Sequence, residues 1–227
     1  MRTLFFFFSA GLIFLSGCKK DVSTPEVIQT DSSAVAKPKL LCLGTSLTAA
    51  YNLDPTEGWV SQIRKKVDSL GYHYDVVIAG VSGETTSGLR SRLGWMLQGD
   101  IQVVILESGA NDGLRGTEIK TTRDNLSAII DTIRVYNPKM KIVLAGMAVP
   151  PNMGPEYTKE FMSLYPELAK SKKVDLIPFL LEGVGGKKEL NLPDGIHPNP
   201  TGQKIVAETV WKTLKPVLDS AAGSRGN

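Results

Sequence analysis

A serine, an imidazole and a carboxylate that share one site can carry out nucleophilic acyl transfer, and this 227-residue chain offers few places to look for them. Ser46 lies in "LLCLGTSLTAAYN", residues 40–52, where the apolar run Leu40–Leu43 stops at Gly44. A serine held at a strand end can present its hydroxyl to an electrophile. The plainer reading of a small polar residue there is a turn or a helix cap. The only histidines are His73 and His197. His73, in "GYHYD", sits at a strand entrance, where an exposed or packing role is the default. His197 sits in "LPDGIHPNPTG", a loop dense in Pro and Gly, and Asp194 is three residues before it. That spacing lets one loop carry both groups. A carboxylate on one ring nitrogen fixes the tautomer and supports the imidazolium formed when the other nitrogen takes a proton. The plainer alternative is a turn in which Asp194 bonds its own backbone.

Two further stretches supply donors. In "ESGANDGLRG", residues 107–116, the side-chain amide of Asn111 can cap a turn or donate to a developing oxyanion. In "GVSGETTSG", residues 80–88, Gly83 can offer its backbone N–H to the same charge, or serve only the dihedrals of a Gly-rich loop.

The elements that must position these residues alternate. "KLLCLG", "YDVVIAG", "IQVVILES", "KIVLAGM" and "VDLIPFLL" read as five strands. Between them lie amphipathic helical patterns. Residues 58–70 carry Trp59, Ile63, Val67 and Leu70 at helical spacing, and "TSGLRSRLGWMLQ" carries Leu89, Leu93 and Met96 or Leu97. "TEIKTTRDNLSAIIDTIRVY" is a long helix stopped by Asn137-Pro138, "PEYTKEFMSLYPELAKS" is one with a kink or break expected at Pro166, and "TGQKIVAETVWKTLKPVL" closes the chain. Continuous apolar strands are those covered on both faces, so the alternation predicts an α/β fold with a parallel sheet between helices. Ligands bind such sheets outside the carboxyl ends of the strands. Ser46, Gly83, Asn111 and the stretch after the fourth strand all follow strand ends and should share one rim.

Composition sets the outer limits. Net charge is +3, with 26 basic and 23 acidic residues and no long basic run, which gives no support to a nucleic-acid partner. "MRTLFFFFSAGLIFLSGC" has Arg2 and an apolar run from Leu4 to Leu15, the layout of a secretory signal rather than a bilayer span. "LSGC" resembles the lipobox of bacterial lipoproteins, which implies a signal peptide over 1–17 and lipid on Cys18. Lys19 and Lys20 stand where an acidic retention signal would be, so the expectation is the outer membrane or cell surface. Residues 18–38 read as the lipidated cysteine and a polar tether, 39–219 as the domain and 220–227 as a frayed tail. The second cysteine, Cys42, lies inside the first strand and reads as a buried, inert thiol.

Taken in order, Gly44-x-Ser46, Gly83, Gly109-x-Asn111-Asp112 and Asp194-x-x-His197 resemble the four blocks of the SGNH hydrolases, the GDSL esterase/lipase family. "VSGETTSGLRSRL", "ANDGLRG", "YPELAK" and "DGIHPN" resemble its bacterial thioesterase I/lysophospholipase/arylesterase subgroup, across about residues 39–218. The resemblance implies a three-layer α/β/α sandwich, with a flavodoxin-like parallel sheet in strand order 2-1-3-4-5. It implies Ser46 as nucleophile, His197 as general base and acid, and Asp194 as its orienting partner. The N–H groups of Ser46 and Gly83 and the amide of Asn111 would form the oxyanion hole. No metal or organic cofactor is required.

"MAVPPNMGPEY" resembles the subgroup's loop beside the acyl groove, with Val149, Pro150, Pro151 and Met153 as candidate substrate contacts, or else an ordinary Pro-fixed connection. Two departures stand out: Thr45 occupies the Asp position of Gly-Asp-Ser-Leu, and Ala110 stands where relatives often have Gly. None of the implied reacting groups is Thr45, so activity is expected to survive. The reading is a serine esterase acting on esters, thioesters or lysophospholipids, monomeric by default. The rivals are a carbohydrate O-acetylesterase and an inactive lipid-anchored binding protein.

Overall fold

The computed structural model describes residues 37–223. The expected signal segment 1–17, Cys18 and the tether up to residue 36 lie outside the described residues, as do 224–227. Five strands form one parallel sheet: β1 (Lys39–Gly44), β2 (Asp75–Gly80), β3 (Ile101–Glu107), β4 (Lys141–Ala145) and β5 (Asp175–Ile177). Their order is β2-β1-β3-β4-β5, as the resemblance implies. Leu41 pairs with Val77 on one side and Val104 on the other. The inner strands are apolar through their centres because helices cover both faces, and Leu40, Cys42, Val103, Ile105 and Val143 are fully buried. Each such large side chain contributes about 1.5–3 kcal/mol by leaving water.

Helix α1 (Trp59–Ser69) follows β1, and α2 (Thr86–Met96) follows β2. A short helix, α3 (Ala110–Leu114), and the long α4 (Ile119–Tyr136) follow β3. Helix α5 (Pro155–Lys172) and α6 (Pro200–Gly223) complete the chain. Helix α1 packs with α6, while α2, α4 and α5 pack in a row. Right-handed crossovers require this division, because β1 leads to β2 in one direction across the sheet and the later strands run in the other. The direction changes beside β1. The crevice outside the carboxyl ends of β1 and β3 is therefore the switch point where α/β sheets take ligands.

Local differences from the sequence reading have physical causes. β5 stops at Ile177 because Pro178 has no N–H for a ladder, and the chain there turns instead, Leu180 N donating to Gly146 O. Helix α5 runs unbroken through Pro166, which is exposed, while Phe161, Leu164, Tyr165 and Leu168 bury the opposite side. At the end of α2 it is Leu97, the residue that caps the helix, that is buried with Leu89 and Leu93, while Met96 packs partly exposed against the core. Helix α6 continues to Gly223, into the stretch read as a tail from position 220. Cys42 is fully buried, and burial pushes its thiol far above the ordinary range.

Candidate active site

The turn after β1 carries Ser46, which is only 9% exposed, and the loop before α6 carries Asp194 and His197. The two segments meet. Asp194 Oδ2 lies 2.8 Å from His197 Nδ1, and His197 Nε2 lies 2.8 Å from Ser46 Oγ. The histidine loop is shaped locally. Asp194 Oδ1 accepts the backbone N–H groups of Ile196 and His197, both at 3.0 Å, around Gly195 at φ 76°. A residue with a Cβ is strained at that φ. The two readings of Asp194 in the sequence therefore both hold, since one carboxylate oxygen bonds the backbone turn while the other bonds the imidazole.

Burial acts to raise the Asp194 carboxyl. The bonds from the His197 ring and from the N–H groups of Ile196 and His197 outweigh it and hold the group below its ordinary value. Tyr51 packs its ring against the imidazole, centroids 4.6 Å apart and tilted by 37°. His73 is exposed and apart from the site.

Gly83 and Asn111 come to the same rim on separate supports. The Gly83 loop begins where Val81 N donates to Gly44 O. Arg92, from α2, forms a two-pronged ion pair with Glu84 and donates through Nη2 to Gly44 O and Ala79 O. Arg115 Nη2 donates to Gly83 O at 2.9 Å, which turns the Gly83 carbonyl toward Arg115. Asn111 Nδ2 donates one hydrogen to Glu84 O at 3.0 Å, leaving the other for a ligand. Next to it, buried Asp112 accepts Thr86 N at 2.8 Å and Thr86 Oγ1 at 2.6 Å, so α3 is fastened to the start of α2.

A cavity of about 770 Å³ opens over these groups. Ser46, Gly83, Asn111 and His197 all line it. Val149 and Pro150 line it too, with Met147 and Leu114. Met153 is not in the wall but packs beside the core, and the side chain of Pro151 lies outside what is described. Much of the remaining wall was not anticipated: Phe179, Leu181, Gly185 and Gly186 after β5, and Ile196 beside the histidine. Glycines give no chemical signal in sequence, and this loop reaches the site only because β5 lies next to β4. Among the described residues, the wall has no Lys, Arg, Asp or Glu.

Known proteins similar to this chain identify its family. The family pattern of GDSL-like Lipase/Acylhydrolases matches residues 42–205, most of the domain. The chain belongs to that family. Within the GDSL-like family it is similar to Esterase TesA of Pseudomonas aeruginosa, 39% identical over 207 residues that cover 91% of this chain and 98% of TesA. It is also similar to an arylesterase of Vibrio mimicus, 38% identical over 81% of this chain and 91% of that protein. A crystal structure of TesA superposes with a TM-score of 0.75 at 40% identity, covering 78% of this chain and 98% of its own. The psychrotrophic esterase EstA from Pseudoalteromonas sp., inhibited by monoethylphosphonate, gives a TM-score of 0.75 at 33% identity over 81% of this chain and all of EstA.

Proposed function

We propose that this chain is a serine esterase that cleaves esters of apolar acids through an acyl-enzyme. The observation that carries the proposal is the continuous contact Asp194–His197–Ser46 opening into a neutral, largely apolar cavity beside the Asn111 amide. Ser46 Oγ attacks the acyl carbon and passes its proton to His197 Nε2. Asp194 stabilises the imidazolium. The oxyanion takes donors from Asn111 Nδ2 and the N–H groups of Gly83 and Ser46. His197 then protonates the leaving oxygen and activates the water that releases the acid. Esterase names among the relatives and the phosphonate inhibition of EstA support the same chemistry.

The apolar wall favours acyl chains over O-acetylated sugars. Thioesters and lysophospholipids fit the same neutral groove, in line with a 35% identical relative named thioesterase 1/protease 1/lysophospholipase L1. The signal-like start and the LSGC ending at Cys18 support export and lipid attachment in the cell envelope, with Lys19 and Lys20 favouring the outer membrane. That location favours lysophospholipids and short or aryl esters over cytosolic acyl-CoA. Hydrolysis of p-nitrophenyl esters from acetate to palmitate, by the wild type and by Ser46→Ala, tests the reading. Turnover that depends on Ser46 supports it, and a folded protein inactive across the series overturns it. Incorporation of an alkyne fatty acid that disappears in Cys18→Ala tests the anchor.

A further inference from the structure

Glu107 is the last residue of β3 and an acid at the end of the apolar run Val103–Leu106; it is fully buried. A carboxylate there loses its hydration and keeps its charge only if donors replace the water. Four donors do so. Thr45 Oγ1 donates to Oε1 at 2.8 Å. Thr45 N at 2.7 Å, Thr48 Oγ1 at 2.9 Å and Thr48 N at 3.3 Å donate to Oε2. All four come from the two residues that bracket Ser46 and Leu47. The requirement for Gly44 follows as well, since a Cβ there would come within 2.0 Å of Thr48 Oγ1 and 2.5 Å of Glu107 Oε2.

We propose that Glu107 is a positioning residue for the nucleophile: its buried carboxylate grips Thr45 and Thr48 on either side of Ser46 and so fixes where the Ser46 hydroxyl and N–H stand. The proposal rests on the esterase reading. It also gives Thr45 a role. A hydroxyl at this position can donate to Glu107, whereas the Asp of the family name block, when ionised, cannot. The turn is held further by Ala49 N donating to Thr45 O and Tyr51 N donating to Ser46 O, at 2.9 and 3.0 Å. Those bonds shape the turn itself, while the Glu107 bonds tie it to the end of β3, the strand that leads into Asn111. Nucleophile and oxyanion donor thereby share one support.

The geometry distinguishes two variants. In Glu107→Gln the amide oxygen can take the place of Oε2 and accept from Thr45 N, Thr48 N and Thr48 Oγ1, while the NH₂ donates to Thr45 Oγ1. In Glu107→Ala all four donors lose their acceptor. The test is steady-state and burst kinetics on p-nitrophenyl acetate, with circular dichroism as the check on folding. Glu107→Gln is expected to keep kcat within about threefold, and Glu107→Ala to lose about 100-fold in kcat at a KM within about twofold, since misplacing a reacting group by about an ångström costs that much. If the Ala variant does not fold, Thr45→Val/Thr48→Val replaces it, with an expected loss of about tenfold in kcat alone. A folded Ala or double-Val variant with wild-type kcat overturns the positioning role, as does a Gln variant no better than Ala. Ser46→Ala run in parallel separates the two ideas. If it stays active, the esterase reading and this role fall together. If it is dead while the Glu107 variants are normal, only the role of Glu107 falls.

Discussion

Ser46 Oγ and His197 Nε2 lie 2.8 Å apart although 151 positions separate them in the chain. Each is delivered by a different device, Ser46 by the turn after β1 and His197 by the Asp194 turn before α6. The contact is the point at which a proton can leave the hydroxyl as it attacks. Ser46→Ala and His197→Ala are each expected to lower kcat by about 10⁴-fold or more, since triad members act as a unit. Circular dichroism should be unchanged, because neither side chain belongs to the core. Ser46→Ala should also abolish covalent labelling by a fluorophosphonate. Near-normal rates in either variant would show that another nucleophile or base is at work.

Asp194 should matter through the tautomer it imposes. In Asp194→Asn the amide can present its NH₂ to Nδ1, which places the ring proton on Nε2, where Ser46 needs an acceptor. A loss of about 10³–10⁴-fold in kcat is expected. The bonds to His197 and the backbone hold Asp194 below its ordinary carboxylate range, so its sign is that of a depressed acid. Its stabilisation is complete above the unfolded value and fades only as pH falls through the lower folded value. The Tm gap between wild type and Asp194→Asn should therefore persist from neutral pH down through mildly acid solution and close only in strong acid, as Asp194 takes up its proton. A gap that closed already near the ordinary carboxylate range would mean that these bonds do not hold Asp194 ionised.

Asn111 makes a separable contribution. Its amide already has one hydrogen committed to Glu84 O, which aims the amide without consuming its capacity. Charge on the acyl oxygen develops only as the transition state is reached, so Asn111→Ala should lower kcat by about 10²–10³-fold and leave KM within about threefold. A rise in KM with kcat preserved would make Asn111 a substrate-binding residue instead.

The strands were legible because a strand covered on both faces must be apolar, and Leu40–Leu43 or Val103–Leu106 has no other use for that composition. The site was legible because Ser46, Asn111, Asp194 and His197 are reactive types at strand ends or in a Gly- and Pro-rich loop. Helix α3 was not, since five residues cannot show a helical period. The extent of β5 was hidden by the apolar stretch after Pro178, which serves the cavity and core rather than the ladder. Glu107 stood in plain view at the end of "IQVVILE", but only the fold shows that it is buried and that Thr45 and Thr48 face it. The Phe179–Gly186 wall depends on neighbouring strands and left no mark in its own residues.

Thr45→Asp restores the family residue and, in this chain, sets a second carboxylate against Glu107. Burial already raises Glu107, partly offset by the donors on Thr45 and Thr48. The substitution removes a hydroxyl donor and adds a like charge, which raises the pair further, and the two acids then share a proton. For acids raised in the folded state, the protonated form is the one that folding favours. The variant should therefore match the wild type most closely at low pH and lose stability as pH rises through the unfolded carboxylate range toward the raised folded value. Differential scanning fluorimetry of both proteins at about pH 5 and pH 8 should show a Tm gap that widens with pH. Turnover at about pH 6 is expected within about tenfold of wild type, roughly 1.4 kcal/mol of barrier, because the shared proton restores one donor to the Glu107 site. A gap in Tm that is constant with pH would mean that the new carboxylate turns away from Glu107 and meets solvent.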